Sequence, residues 1–206
     1  MLVKICGITR VTDALHAVEQ GATAIGFVLW PRSPRGITAE RVARISEELP
    51  SHVMRVGVFV NESVENIRAI AERAHLTAIQ LHGDEPPAYA EALDWPVLRA
   101  VSVADLNAAT EAWAPEIPLL VDNIDPVRRG GTGAVIDWSQ AAAVAQRRRV
   151  VLAGGLTADN VASAIRAVRP FGVDVSSGVE AAPGVKDLSK VTQFIENARL
   201  AFEEAK

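Results

Sequence analysis

The chain has 206 residues, 49% of them hydrophobic and 22% charged, and a net charge of −4, so it suits a globular fold and offers nucleic acid or anionic lipid no general attraction. Its one cysteine, Cys6, excludes an intramolecular disulfide framework and fits a reducing compartment. No window approaches the roughly 18 apolar residues of a membrane helix, and the first residues run into a strand-like segment with no charged leader, so a cytoplasmic protein is expected.

In chain order, apolar runs predict strands over Leu2–Ile5, Ala24–Leu29, Met54–Val60, Ala78–Leu81, Val97–Val101, Leu119–Val121, Val150–Ala153 and Gly172–Val175. Amphipathic segments alternate with them at a period of about 25 residues. Thr38, Ser63 and Thr157 stand where helix N-caps belong, and Asp187 is placed to cap the last helix. The apolar positions Val191, Phe194, Ile195, Ala198 and Phe202 of that helix follow helical spacing.

This alternation predicts an α/β protein with a parallel sheet covered by helices. Eight strands favour a closed single-domain (β/α)8 barrel over residues 1–206; an open doubly wound sheet is the alternative. Two loops are longer than the rest, Trp30–Ile37 and Asn123–Asp137. Both follow strand C-termini, the face on which barrels place their chemistry. Arg32, Arg35, Arg128 and Arg129 fall in these loops, whereas Arg147, Arg148 and Arg149 read as the solvated end of a helix.

Strand alternation puts Lys4 and Cys6 on one face of the first strand, and Asp174 and Ser176 on one face of the last. Val3, Ile5, Val173 and Val175 then face the helices. If the barrel closes, Lys4 and Asp174 point inward from adjoining strands and are expected to pair, with the ammonium biasing Cys6 toward thiolate. A free cysteine is usually a small buried hydrophobe; the strand end is what makes Cys6 a chemical candidate. Asp122 follows Leu119-Leu120-Val121 and would project into the barrel top. Desolvation there raises a carboxyl pKa and suits a general acid, while a basic loop nearby opposes it. Gln80 and His82 share the inward face of the fourth strand.

Three glycine-rich turns crowd the last third: Gly130-Gly131-Thr132-Gly133, Gly154-Gly155 and Ser176-Ser177-Gly178. Glycine lets backbone N–H groups approach an anion, and barrels often hold phosphate on the loops after strands 7 and 8 with a short extra helix, here Ser177–Glu180. Hydrolase triads, zinc spacings, a Walker loop and Gly-x-Gly-x-x-Gly are all missing.

Over nearly its whole length the chain resembles the phosphoribosylanthranilate isomerases, (β/α)8 enzymes of tryptophan biosynthesis. The resemblance rests on Lys4-Ile5-Cys6-Gly7-Ile8-Thr9, Ser33-Pro34-Arg35, Val56-Gly57-Val58-Phe59-Val60-Asn61 and Gln80-Leu81-His82-Gly83. It continues through Gly130-Gly131-Thr132-Gly133, Asp137-Trp138, Ala153-Gly154-Gly155-Leu156 and Val173-Asp174-Val175-Ser176-Ser177-Gly178-Val179-Glu180. It implies that Cys6 is the general base, Asp122 the general acid, and Arg35 the ligand of the anthranilate carboxylate. It also implies a phosphate site at the glycine-rich turns, so that Gly131, Gly133, Gly154, Gly155, Ser176, Ser177 and Gly178 are expected to bind substrate, as are Gln80 and His82 of the fourth strand.

The implied reaction is an Amadori rearrangement of N-(5-phosphoribosyl)anthranilate. Its only expected partner is that small phosphoribosyl substrate, with no metal or redox cofactor, and the protein is expected as a monomer or homodimer. Two alternatives stand beside this reading. One is the related isomerase of histidine biosynthesis, which resembles two half-barrels and has an aspartate where Cys6 stands. The other is a non-catalytic phosphosugar-binding barrel.

Overall fold

The computed structural model describes residues 1–123 and 137–205. Its strands β1 (Leu2–Ile5), β2 (Ala24–Val28), β3 (Met54–Phe59), β4 (Ala78–Leu81), β5 (Val97–Ser102), β6 (Leu119–Asp122), β7 (Val150–Leu152) and β8 (Gly172–Val175) pair in sequence order. All these pairings are parallel, and β1 also pairs with β8, so the sheet closes into a (β/α)8 barrel. Strand ends differ from the expected ones by at most one residue.

The surrounding helices are α1 (Val11–Glu19), α2 (Ala39–Glu47), α3 (Val64–Arg73), α4 (Ala88–Ala92), α5 (Leu106–Ala112), α6 (Trp138–Ala145), α7 (Val161–Val168) and α8 (Leu188–Glu204). Between β8 and α8 the chain makes a 3-10 turn at Ser177–Val179 and a small hairpin, β9 (Glu180–Ala182) with β10 (Val185–Lys186).

Two apolar layers follow from the period-2 strand pattern. Outward residues such as Val3, Ile5, Phe27, Ile79 and Val173 are fully buried against the helices. Inward residues Leu2, Ala24, Val56, Ala78, Leu98, Ala100, Leu120, Val151 and Ala153 form a separate inner cluster. Four of these are alanines, and the space they leave accommodates the long side chain of Lys4, itself 0% exposed.

Helix starts follow local hydrogen-bond chemistry. The hydroxyls of Thr38 and Ser63 accept from the N–H of Arg41 and Asn66, and the Asp187 carboxylate accepts from Ser189 and Lys190. Along α8, Val191, Phe194, Ile195 and Ala198 are buried, and Phe202 packs partly buried against the same core. Thr157 does not cap as expected: α7 begins at Val161, with Asn160 in the cap position. The Asn160 side chain turns back, accepting from Thr157 N at 2.8 Å and donating to Gly155 O at 2.9 Å. A short polar side chain has here bonded to the preceding turn instead of the helix.

Arg148 also corrects the sequence reading. It is not solvated but buried. Nη1 donates to Thr110 O (3.0 Å) and Trp113 O (2.8 Å), and Nη2 to Ala114 O (2.7 Å) and Ile117 O (2.8 Å). These carbonyls lie at and beyond the C-terminal end of α5, where backbone acceptors lack helical partners and the helix dipole favours a cation. Its neighbour Arg149 stacks on Phe171 at 5.6 Å. A cavity of about 1060 Å³ opens at the N-terminal end of the barrel, lined by residues including Leu2, Met54, Val56 and Phe171. It opens at the end of the barrel opposite the strand C-termini and reaches inward as far as Lys4.

Replacing Arg148 strands four carbonyls at once. Arg148→Met is expected to lower unfolding free energy by on the order of 2–4 kcal/mol. Urea denaturation would measure this, with turnover at 25 °C little changed; unaltered stability would refute the bracing role.

Candidate active site

Lys4 and Asp174 are register partners across the β1–β8 seam, and Lys4 Nζ donates to Asp174 Oδ1 at 2.9 Å. The expected pair therefore forms. Burial acts to lower the Lys4 pKa, but Asp174 and Cys6 together override it and leave the ammonium above its ordinary value. Cys6 follows β1, is buried, and lies beside the Lys4 ammonium. A Cβ on Gly26 of β2 would fall 2.7 Å from Cys6 Sγ and 3.0 Å from Lys4 Nζ, so only glycine admits both groups there.

The thiol is not shifted as the sequence suggested. Burial, the largest influence, raises its pKa; Lys4 and Lys186 draw it down, and Asp174 pushes it up. The net direction is upward. Lys4 favours thiolate, as expected, but desolvation outweighs it.

Asp122 ends β6 with its Oδ1 accepting from Asn123 N at 2.7 Å. Desolvation raises its pKa to about 6; the Asn123 bond and Lys4 oppose the rise and Asp174 adds to it. Gln80 and His82 do share the barrel interior, with Gln80 Nε2 2.8 Å from His82 Nδ1. With the amide nitrogen as donor, Nδ1 accepts and Nε2 carries the ring proton. That nitrogen lies 3.8 Å from Asp122 Oδ2.

At the same end, Asp122, Gly154, Gly155, Asp174, Ser176, Ser177 and Gly178 line a small pocket. Gly154 and Gly155 both adopt left-handed backbone (φ 74° and 67°), and the Ser177–Val179 turn is the short extra helix that was expected. The Ser176 hydroxyl is buried with no partner among the described residues. Gly131 and Gly133, along with Arg128 and Arg129, lie outside the described residues.

Arg35 reaches the same mouth, but it is engaged: Nε and Nη2 donate to the two oxygens of Glu180 at 2.8 and 2.7 Å. Lys186 Nζ donates to Glu180 Oε1 and to Ser176 O, both at 3.0 Å. Glu180 entered the sequence reading only as the end of a motif, and Lys186 not at all. Its strand, β10, has two residues, too short for any periodic signal.

Together these features define a (β/α)8 barrel enzyme with a partly buried carboxyl and a buried thiol at the C-terminal mouth, flanked by glycine-rich turns. The comparisons narrow this class. Residues 3–197 match the family model for N-(5'phosphoribosyl)anthranilate (PRA) isomerase. The isomerase of that name from Pelobacter propionicus is 46% identical over 198 residues, covering 96% of this chain and 95% of that protein. A crystal structure of phosphoribosyl anthranilate isomerase in complex with reduced 1-(o-carboxyphenylamino)-1-deoxyribulose 5-phosphate aligns with TM-score 0.86 and 47% identity, covering 97% of this chain and 98% of that one. Monomers generated from the dimeric Thermotoga maritima isomerase align with TM-score 0.86 and 46% identity, covering 97% and 98%. The chain belongs to the N-(5'-phosphoribosyl)anthranilate isomerase family.

A carboxyl raised to about 6 has a testable energetic consequence. Below about pH 4 Asp122 is protonated whether folded or unfolded and carries no ionisation penalty. As pH rises through the folded value, a buried group must ionise, and stability falls relative to a residue that does not titrate. Between about pH 4 and pH 8 the stability difference is expected to move in favour of Asp122→Asn by on the order of 2 kcal/mol. Urea unfolding across that range measures it; a pH-independent difference would contradict the raised value.

Proposed function

We propose that the chain converts N-(5'-phosphoribosyl)anthranilate to 1-(2-carboxyphenylamino)-1-deoxyribulose 5-phosphate, with Asp122 as general acid and Cys6 as general base. The observation that carries this reading is the pairing of a carboxyl raised to about 6 with a thiol beside a buried ammonium, on the C-terminal side of a barrel of this family. Asp122 protonates the ribose ring oxygen, and the ring opens to a Schiff base between the anthranilate nitrogen and sugar carbon 1. Cys6, as thiolate, removes the proton on carbon 2, and the resulting enolamine tautomerises to the ketone. Only protons move, and the sugar supplies its own imine. Each positioned group contributes roughly 10²–10⁴-fold.

The working form needs Asp122 protonated and Cys6 ionised. At neutral pH the predominant form has the opposite arrangement, with a thiol and a carboxylate, since the thiol lies above its ordinary value. Both forms hold one proton, so pH does not alter their ratio. Lys4 favours the thiolate that the working form needs, and it also favours the Asp122 carboxylate of the opposite form.

Phosphate binds at Gly154, Gly155, Ser176, Ser177 and Gly178, with Gly131 and Gly133; the unpartnered Ser176 hydroxyl supports this placement. Arg35 takes the aryl carboxylate, and Gln80 and His82 line the space between. Anchoring both ends holds the reacting carbons between acid and base. The unit is one domain over residues 1–206, working in a reducing cytoplasm. The dimeric Thermotoga relative favours the homodimer over the monomer.

Substrate generated in situ from anthranilate and phosphoribosyl pyrophosphate can be followed by its fluorescence. Cys6→Ala and Asp122→Asn are each expected to lower kcat by roughly 10²–10⁴-fold with little change in KM, while Arg35→Ala mainly raises KM. Near-normal kcat in either variant would remove that residue from its role, and no decay with folded wild type would overturn the activity. A second check is the pH profile. The plot of kcat/KM should be a bell whose acidic limb falls at about 6 and whose basic limb lies above the ordinary range of a cysteine thiol, both limbs belonging to the pair. A basic limb near neutrality would contradict the raised thiol.

A further inference from the structure

Arg35 crosses the backbone of Gly7, whose φ is +72°; a Cβ there would fall 2.7 Å from Arg35 Cδ and 2.9 Å from Ser176 Oγ. Beyond that crossing the guanidinium meets Glu180 edge-on through Nε and Nη2. Glu180 Oε1 also accepts from Lys186 Nζ at 3.0 Å and Gly184 N at 3.2 Å. The side chains are 13%, 5% and 0% exposed for Arg35, Glu180 and Lys186. Burial alone would raise the Glu180 pKa, but these donors hold it below its ordinary value, so the carboxylate is ionised. Two cations thus share one anion, and the cluster carries a net charge of +1.

A guanidinium offers more than one fork. The Nε–Nη2 edge is used on Glu180, which leaves the end formed by Nη1 and the second Nη2 hydrogen; Nη1 makes no hydrogen bond among the described residues. A poorly hydrated cluster with one charge in excess is completed by one further carboxylate. We propose that Glu180 is a positioning residue for the substrate's aryl carboxylate: held by Lys186, it fixes Arg35 so that the open end of the guanidinium receives that group. This rests on the reading of Arg35 as the carboxylate ligand. Lys186 also grips Ser176 O, so the fork is set at a defined place relative to the turn assigned to phosphate. Glu180 does not compete with the substrate for Arg35, since the two carboxylates occupy different edges.

The test uses two probes and a mutant cycle. One probe is reduced 1-(o-carboxyphenylamino)-1-deoxyribulose 5-phosphate; the other is its counterpart built on aniline, without the carboxylate. Calorimetric binding of both is measured for wild type, Arg35→Ala, Glu180→Gln, Glu180→Asp, Lys186→Met and the Arg35→Ala/Glu180→Gln double variant. Glu180→Gln is expected to weaken the carboxylate probe about tenfold and the aniline probe less than about twofold. KM should rise with kcat held within about threefold, and the double variant should bind no worse than Arg35→Ala alone. Glu180→Asp should restore part of the lost affinity, and Lys186→Met should show the same selectivity. Should Glu180→Gln not fold, Glu180→Asp and Lys186→Met carry the same comparison.

Equal losses for both probes, or no loss for the carboxylate probe, would overturn the positioning role. If Arg35→Ala loses the carboxylate probe selectively while the Glu180 and Lys186 variants do not, only this inference falls. If Arg35→Ala binds both probes like wild type, the assignment of Arg35 itself falls.

Discussion

The Lys4–Asp174 ion pair is the contact on which the reacting end of the barrel depends. An ammonium with no solvent exposure is tolerated because a carboxylate stands 2.9 Å away, and that partner comes from the far end of the chain. The two residues are opposite one another only in the register that closes β1 on β8. A slip of either strand by one residue would turn its own charge outward into the apolar layer beneath the helices and leave the other charge alone, and removing one partner of a buried pair costs about 3–5 kcal/mol. Closure and charge pairing are therefore one requirement. Gly26 follows from it, because a side chain at that position would occupy the space of Lys4 and Cys6.

That pair also sets the electrostatics of the groups above it. Lys4 favours the ionised forms of both Cys6 and Asp122, whereas Asp174 disfavours both. Neither charge dominates, and burial is the largest influence on each group. The result is two neutral-leaning acids, separated chiefly by the intrinsic difference between a carboxyl and a thiol. Within the proposed reading, such a pair holds one proton between two groups across the neutral range, as the assigned acid and base require.

Much of this arrangement is legible in the sequence. Alternation within three strands, with the assumption that eight strands close, is enough to place Lys4 against Asp174, Cys6 beside them and Gln80 beside His82. What could not be read was magnitude. The sign of the Lys4 effect on Cys6 follows from charge alone, but the larger opposing effect of burial depends on how completely the barrel excludes water. Arg148 was misread because a run of arginines at a helix end carries no record of the four carbonyls that converge on it from another segment. Glu180 and Lys186 were missed for a related reason. They lie in a hairpin of short strands where neither helical nor strand periodicity operates, and their meeting with Arg35 joins segments 145 residues apart.

The local charge balance bears on how an anionic substrate would act within the proposed reading. The chain as a whole is acidic, with a net charge of −4. Its C-terminal mouth is different: Lys4, Arg35 and Lys186 face Asp174 and Glu180, a surplus of one positive charge before Asp122 is counted. With Asp122 ionised the cluster is neutral; with it protonated the cluster is a receptor for an anion. A substrate carrying a phosphate and a carboxylate binds better to the protonated form, and by linkage its binding raises the Asp122 pKa further. Burial and ligand charge thus push the carboxyl the same way, toward the form that can donate a proton. The same anion acts against thiolate at Cys6, and the two ammonium groups of Lys4 and Lys186, both drawing the thiol down, oppose that second effect.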